Sequence, residues 1–320
     1  MAKYLITGVA GFIGSALANR LTADGHAVRG VDNLITGKKE NVTGIKGLDF
    51  READILDTKA TADACKDVDF ILHQAALGSV PRSVADPATT NSNNVEGTLT
   101  VLSAAKAEAE RSKKKVRVVF AASSSAYGDT PTLPKREDMF PNPISPYAVT
   151  KLAGEFYMQS FWRVYGLETV SLRYFNIFGP RQDAQSQYSA VMAKFITAML
   201  RRERPTIFGD GTQSRDFTYV DNAVSANLLA CAAPAEKVCG KVFNIACGGQ
   251  VTLLQMTDAL NRLLGTKLDP VLGAERAGDI KHSFADISLA QKTFGYKPQV
   301  SFEDGLKKTI EWYRGAAASA

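Results

Sequence analysis

The chain has 320 residues, 45% of them apolar and 22% charged, with 12 prolines, a composition that excludes disorder, collagen and coiled coil as its main architecture. At roughly 150 residues per domain, such a length predicts two domains or one large α/β unit. Thirty-eight basic against 33 acidic residues leave a net charge of +5, and the one basic run, at 113–115 between Arg111 and Arg117, lacks the interleaved aromatics of a nucleic-acid patch and reads as a solvated loop.

Through the first half, apolar runs of strand length alternate with helix-length segments. Residues 3–8, Ala27–Asp32, 48–54, 69–75, 116–123 and 168–176 predict strands. These runs are continuous rather than alternating, as parallel strands covered on both faces require. Phe12–Ala23, Thr58–Cys65, 92–110 and 147–165 predict the helices between them. This rhythm predicts an α/β fold, a Rossmann-type doubly wound parallel sheet. After Asn176 the pattern changes to a polar loop at 179–183, a helix at 190–201, a turn-rich segment at 204–218, a buried strand at 242–246 and helices at Leu253–Leu264, 289–294 and 302–314. The expected division is a nucleotide-binding domain of 1–176 plus about 221–247, and a smaller α/β substrate domain of about 177–220 plus 248–315.

Thr7-Gly8-Val9-Ala10-Gly11-Phe12-Ile13-Gly14 is a Gly-x-x-Gly-x-x-Gly turn between a predicted strand and a predicted helix. Glycines let the backbone approach a pyrophosphate, and the free N–H groups and dipole of the helix start favour the anion. Asp32 ends the second strand 18 residues after Gly14, where a carboxylate accepts bonds from ribose hydroxyls and repels a 2′-phosphate. NAD is therefore expected over NADP, a preference that Lys38 and Lys39 weaken slightly. Asp54 ends the third strand, where either an adenine contact or a cap for the next helix accounts for it.

Tyr147 and Lys151 stand four residues apart, on one helix face. Such pairs are common, and position gives this one meaning: its helix follows the fifth strand, whose end carries Ser123-Ser124-Ser125. A phenol that titrates near ~10 becomes a usable base beside an ammonium and an oxidised nicotinamide. A serine hydroxyl can hold the same substrate oxygen, which makes a constellation for hydride transfer at a secondary alcohol. His73, after the fourth strand, reads as a structural hydrogen-bonding residue and His26 as a plain loop residue.

Together, the glycine turn, Asp32-Asn33, Asp54-Ile55, His73-Gln74-Ala75-Ala76, the serine run before Tyr127-Gly128, Tyr147 with Lys151, and Arg173-Tyr174-Phe175-Asn176 resemble the extended short-chain dehydrogenase/reductase family over residues 3 to about 315. The resemblance implies NAD held by Gly8, Gly11, Phe12, Ile13, Gly14, Asp32, Asn33, Gly37, Asp54, Ile55, Gln74, Ala75, Ala76, Asn94, Tyr147, Lys151 and Ile177. It gives Ser123 the family's catalytic Ser/Thr place, with Ser124 and Ser125 where dehydratases carry Asp-Glu and decarboxylases Ser-Glu. Without those carboxylates, oxidation at C4 and its reversal remain, the reaction of the UDP-hexose 4-epimerase branch.

The same resemblance implies uridine and diphosphate contacts from Asn176, Gln182, the segment 188–191 with Ala190 and Val191, Ile207, Phe208, Gln213, Arg215, Arg276 and Asp279. Guanidinium groups suit a pyrophosphate because they donate paired bonds. Gly78, Ser79, the three serines and Ser283 are similar to the subgroup acting on N-acetylated UDP-hexoses, since a small Ser283 leaves room for a 2-acetamido group. UDP-GlcNAc is thus the expected substrate, with plain UDP-glucose beside it; UDP-glucuronate 4-epimerisation and an inactive NAD-binding scaffold are the alternatives. The helices at 92–110 and 147–165 are expected to pair with a second copy as a four-helix bundle, by family analogy.

Cys65, Cys231, Cys239 and Cys247 form no C-x-x-C pair, and with three histidines they predict neither a metal cluster nor a disulfide framework. Glycines interrupt the N-terminal segment before a signal core develops, and no apolar run reaches the ~18 residues of a membrane span. The expected location is a reducing cytoplasm.

Overall fold

The computed structural model describes residues 1–184, 191–275 and 280–318. Strands β1 (Lys3–Thr7), β2 (Ala27–Asp32), β3 (Leu48–Glu52), β4 (Phe70–His73), β5 (Arg117–Ser123) and β6 (Glu168–Tyr174) join the later strand Lys241–Ile245 in one sheet. Its order is Lys241–Ile245, β6, β5, β4, β1, β2, β3, and every pairing is parallel. The expected Rossmann-type sheet is therefore present. Its order reverses between β1 and β4, and the crevice at such a switch point is where open α/β sheets bind ligands. Register opposes Thr7 to His73 and Ser123 to Tyr174, so the chemistry-bearing residues sit at one edge of the sheet.

The strands end one to two residues before the predicted 8, 54 and 75, because the backbone leaves the ladder to form loops over that edge. Helix α1 (Phe12–Ala23) packs on one face, together with the helix Val220–Ala232. Eight residues of Val220–Ala232 are buried around its circumference. It therefore lacks the one-sided stripe that betrays a helix in sequence. On the other face, α2 (Thr58–Cys65), α5 (Gly97–Ser112) and α6 (Pro146–Tyr165) enclose a second apolar cluster around Leu5, Ile71, Leu102 and Val118. Between α2 and α5 lie two short helices, α3 (Val80–Ala85) and α4 (Pro87–Asn91).

The single helix predicted over 92–110 is interrupted. A π-helical turn, Ser92–Glu96, precedes α5, and such bulges recur at functional sites. Buried Asn94 ties that turn to the site. It accepts from the Leu77 N–H at 2.8 Å and donates to Thr150 Oγ1 on α6 at 2.9 Å.

Beyond Tyr174, short strands replace the predicted turns. Ser214–Arg215 lies between Val251–Thr252 (antiparallel) and His282–Ser283 (parallel), while Thr206–Phe208 pairs with Val271–Gly273. Helices Val191–Leu200, Leu253–Leu264 and Phe302–Ala318 cover these ribbons. One apolar cluster runs from Ile6 and Leu17 under the sheet to Met256 and Leu306. The four cysteines are free thiols.

Candidate active site

The turn after β1 explains its own glycines. Gly8 has φ +71°, and a Cβ there would lie 2.7 Å from the Ala75 backbone. A Cβ on Gly14 would lie 2.1 Å from the Gly8 carbonyl oxygen, so the backbone of α1 meets the turn with no space for a side chain. Gly11 precedes α1 without any side-chain cap, leaving the first N–H groups available to an anion. Phe12, Ile13 and Gly14 form that first helical turn.

Beside this turn, a pocket of about 540 Å³ open to solvent is walled by Gly8, Gly11, Asp32, Asn33, Gly37, Ile55, Gln74, Ala75 and Ala76 among the predicted residues. Ile35, Thr36 and Asn93 also line it and were missed, although the first two follow Asp32 closely enough for adjacency to have pointed to them. The Asp32 carboxylate accepts from the Ala10 N–H at 2.9 Å and the Leu34 N–H at 2.8 Å. Burial raises its pKa, and these backbone bonds pull it back down. A Cβ on Gly37 would come within 2.6 Å of Asp32 Oδ1. Asp54 caps no helix; Asp57 does, at α2. Asp54 instead accepts from Asn33 Nδ2 at 2.9 Å and from the Leu56 N–H at 2.8 Å, fixing the far wall. Turn, uncapped helix start and acidic strand end fit the pyrophosphate and ribose of a dinucleotide.

At the end of β5, Ser123 accepts from the Ser125 N–H at 3.2 Å and from Ser125 Oγ at 2.9 Å, shaping the serine run into a 3-10 turn, Ser124–Tyr127. Helix α6 starts at Pro146, with Ser145 accepting from the Ala148 N–H at 3.2 Å, so Tyr147 lies in the first turn and Lys151 in the second. Tyr147 is half-buried and hydrogen-bonded to Ser123. Burial raises its pKa and the Ser123 bond lowers it. Lys151 is 3% exposed and donates from Nζ to the Ala121 carbonyl at 2.8 Å. Burial pushes it down to about 7, against the upward pull of Glu155. Serine, tyrosine and lysine from two separate elements thus converge.

His73 is fully buried between Thr7 Oγ1 (2.7 Å) and Thr98 Oγ1 (3.0 Å). Burial, reinforced by the Lys151 charge, pushes it down to about 3. It is a structural hydrogen-bonding group, as the sequence indicated, and its burial favours the neutral ring. Next to it, Gln74 joins a polar network that sequence reasoning missed: Tyr174 donates to Gln74 Oε1 at 3.3 Å and Asn227 donates to the Tyr174 hydroxyl at 2.7 Å. Asn227 comes from a helix 153 positions away from Gln74, a distance no local pattern spans.

Of the other predicted contacts, Asn176 donates from Nδ2 to the Asp216 carbonyl at 3.3 Å, and Ile177 pairs with Thr218. Gln182 donates to the Ile177 carbonyl at 3.1 Å, and its own carbonyl accepts from Tyr313. The Ile207 side chain is fully buried, so only its backbone is available to a ligand, whereas Phe208 is exposed. Gln213 donates to the Phe208 carbonyl at 2.6 Å. Register sets Ser283 beside Arg215, two residues 68 apart in the chain. Gly78 is exposed and Ser79 caps α3, accepting from the Arg82 N–H at 3.2 Å. Val191 opens its helix. Ala190, Arg276 and Asp279 lie outside the described residues.

Asp216 belongs to the stretch 213–216 that the sequence marks as contact-like, but its own role there is visible only in the structure. Its buried carboxylate accepts from the N–H groups of Cys247 (2.8 Å), Gly248 (3.0 Å), Gly249 (3.3 Å) and Ala285 (3.3 Å). Burial raises it to about 6 despite those bonds. Two distant segments, 247–249 and the one with Ala285, are thereby pinned beside Arg215 and Ser283. Among the described residues there is no His/Cys/Asp/Glu group able to hold a metal, and no helix long and apolar enough to cross a membrane.

Comparison with known proteins agrees with this geometry. The chain is 38% identical over 317 residues to a UDP-glucose 4-epimerase of Mycolicibacterium smegmatis, covering 98% of both proteins. Among solved structures it resembles the UDP-N-acetylglucosamine 4-epimerase from Methanobrevibacter ruminantium M1 in complex with UDP-N-acetylmuramic acid (TM-score 0.92, 40% identity, 98% of this chain and 99% of that one). It also resembles the UDP-glucuronic acid 4-epimerase from Bacillus cereus in complex with UDP-glucuronic acid and NAD (TM-score 0.88, 32% identity, 98% and 99% covered). Residues 4–246 match the NAD dependent epimerase/dehydratase family, whose cofactor the glycine turn and Asp32 fit, and the chain belongs to that family.

Proposed function

We propose that the protein interconverts UDP-hexoses at C4, with UDP-GlcNAc and UDP-GalNAc as its preferred pair and UDP-glucose and UDP-galactose as further substrates. The observation that carries this reading is the convergence of Ser123, Tyr147 and buried Lys151 in a site with Ser124 and Ser125 after the catalytic serine. Elimination at C5 and C6 needs an acid and a base, and neither serine supplies a carboxylate. Relatives and solved neighbours named as 4-epimerases of UDP-sugars support the same reaction.

When bound along the turn and Asp32, NAD supplies reversible hydride transfer at the sugar C4. The chain's own residues manage the proton and the geometry. Tyr147, as phenolate, takes the proton from the 4-hydroxyl and later returns it, and the Lys151 ammonium stabilises that anion. Ser123 donates to the 4-oxygen and keeps it in line with the phenol. Arg215 engages the diphosphate, while the keto sugar turns about that linkage to present its other face. Ser283 stands beside Arg215, and its small side chain favours a 2-acetamido group.

We assign the nucleotide-binding part to 1–176 plus about 221–247, and the sugar-binding part to about 177–220 plus 248–315. We also assign a homodimer built on α5 and α6. Its support is the row of exposed apolar residues along α6: Val149 (52%), Phe156 (56%) and Val164 (66%).

Product NMR on the purified chain with UDP-GlcNAc, UDP-glucose and UDP-glucuronate tests the assignment. The expected result is equilibration of UDP-GlcNAc with UDP-GalNAc, with Ser283→Tyr suppressing that reaction more than the glucose one. Turnover of UDP-glucuronate alone would overturn the substrate, and no equilibration of any of the three would overturn the activity.

A further inference from the structure

Buried ion pairs are weak evidence for stability, since well-packed apolar residues of similar size often hold a core as well or better. One such pair lies next to the catalytic lysine. Helix α6 sets Glu155 four residues after Lys151, one turn further along the same face. Lys151 is 3% exposed and Glu155 is 1% exposed. Arg173 on β6 grips both oxygens of Glu155, Nε to Oε1 at 2.8 Å and Nη2 to Oε2 at 2.7 Å. The Arg173 guanidinium also lies 4.6 Å from the centre of the Tyr127 ring, and Tyr127 donates to Asn244 Oδ1 at 2.7 Å. The clamp is therefore itself held from β6, the serine-run turn and the strand Lys241–Ile245.

The ammonium of Lys151 donates to the Ala121 carbonyl, and its Nζ lies 5.0 Å from the centre of the Phe120 ring. Burial drives it toward neutrality, and Glu155 supplies the opposing pull. The other titratable groups around this pair are His73, Tyr147, Tyr127 and Glu137. His73 on β4 is neutral, Tyr147 and Tyr127 are raised by burial, and the Glu137 carboxyl is raised by burial as it accepts from the Asn244 N–H.

We propose that Glu155 is a positioning residue for Lys151: its buried carboxylate, oriented by Arg173, holds the lysine ammonium protonated where the Tyr147 phenol needs it. The proposal rests on the reading of Tyr147 and Lys151 as the proton-handling pair. Glu155 acts through Lys151 and touches neither sugar nor cofactor. Arg173 holds both carboxylate oxygens and so keeps Glu155 from forming a contact pair with Lys151, which would withdraw the ammonium from the phenol.

The test follows Lys151 directly, by ¹³Cε NMR titration of lysine-labelled protein with and without NAD, the Lys151 signal being assigned by its loss in Lys151→Met. In Glu155→Gln the Lys151 midpoint is expected to fall by about one pH unit, roughly a tenfold drop in charged lysine at a fixed pH above it. The alkaline limb of kcat moves to lower pH by the same amount, and Glu155→Asp moves both back toward the native values. Because Glu155→Gln leaves Arg173 buried without its partner, the paired variant Glu155→Gln with Arg173→Met serves if the single one does not fold; its Lys151 midpoint also falls. A midpoint unchanged from the native protein in either folded variant overturns the proposal. The titration needs no turnover, so failure of the substrate assignment and failure of this inference are separate results.

Discussion

In the proposed proton-handling pair, Tyr147 and Lys151, burial acts on both side chains. Each is disfavoured in its charged form, so the site depends on the two charges forming together. Tyr147→Phe keeps the ring and its packing but removes the base. It is expected to lower kcat by about 10²–10⁴, the usual worth of a general base, with UDP affinity by calorimetry unchanged. His73 carries a pH signature of a different kind. Its native pKa, about 3, lies below the ordinary 6.5, so between those values the unfolded chain binds a proton that the native one refuses. Stability is therefore complete above the unfolded pKa and is lost as pH falls from about 6.5 toward 3, with a slope approaching about 1.4 kcal/mol per pH unit. Urea unfolding of the native protein and His73→Gln across that range checks this: the variant should lack that part of the slope. The identities of Tyr147, Lys151 and Ser123 were legible because each stands at a fixed place in a β-α-β rhythm. The neutrality of His73 follows from Thr7 and Thr98 closing over it.

The glycine turn is the element whose sequence and structure correspond most closely. Its spacing was visible because tight turns and close helix approach leave glycine as the one residue that fits. Gly14→Ala would force a Cβ to 2.1 Å from the Gly8 carbonyl oxygen, a contact with backbone that no rotamer change relieves. We expect the variant to lose about 1–3 kcal/mol and most of its NAD affinity, read by thermal unfolding with and without NAD. The interrupted helix at 92–112 was less legible. A single helix was expected from its apolar spacing, but the Asn94 bonds to Leu77 and Thr150 and the approach of Gly97 to Ile55 favour a wider turn there. Asp216 was invisible as a clasp because its four donors come from residues 31 to 69 positions away.

At the scale of the whole molecule, the chain leaves the sheet after β6 and returns to it at Lys241–Ile245, so Thr206–Phe208 and Ser214–Arg215 lie in a segment held by the sheet at both ends, while the strands they pair with follow that return. One apolar cluster is shared between the sheet and the helices that cover those ribbons. That continuity resists independent movement of the two parts, as a large apolar interface does. The outer face of α6 remains uncovered. Phe156→Glu places a charge in the middle of its apolar row, and sedimentation is expected to find the variant a monomer and the native protein the proposed dimer. A native monomer at micromolar concentration would remove the bundle from the proposal.

The sequence by itself determined the parallel α/β sheet, the phosphate-binding turn, the acidic end of β2 and the tyrosine–lysine spacing. Each is written in a short window, as periodicity, a forced glycine or one helical turn. Only the tertiary structure decided that Ser123 meets Tyr147, that Arg215 lies beside Ser283, that Asp216 pins two distant segments and that Glu155 is clamped by Arg173. Those relations join residues on separate elements, and folding energy fixes them through burial and pairing that leave no period in the chain.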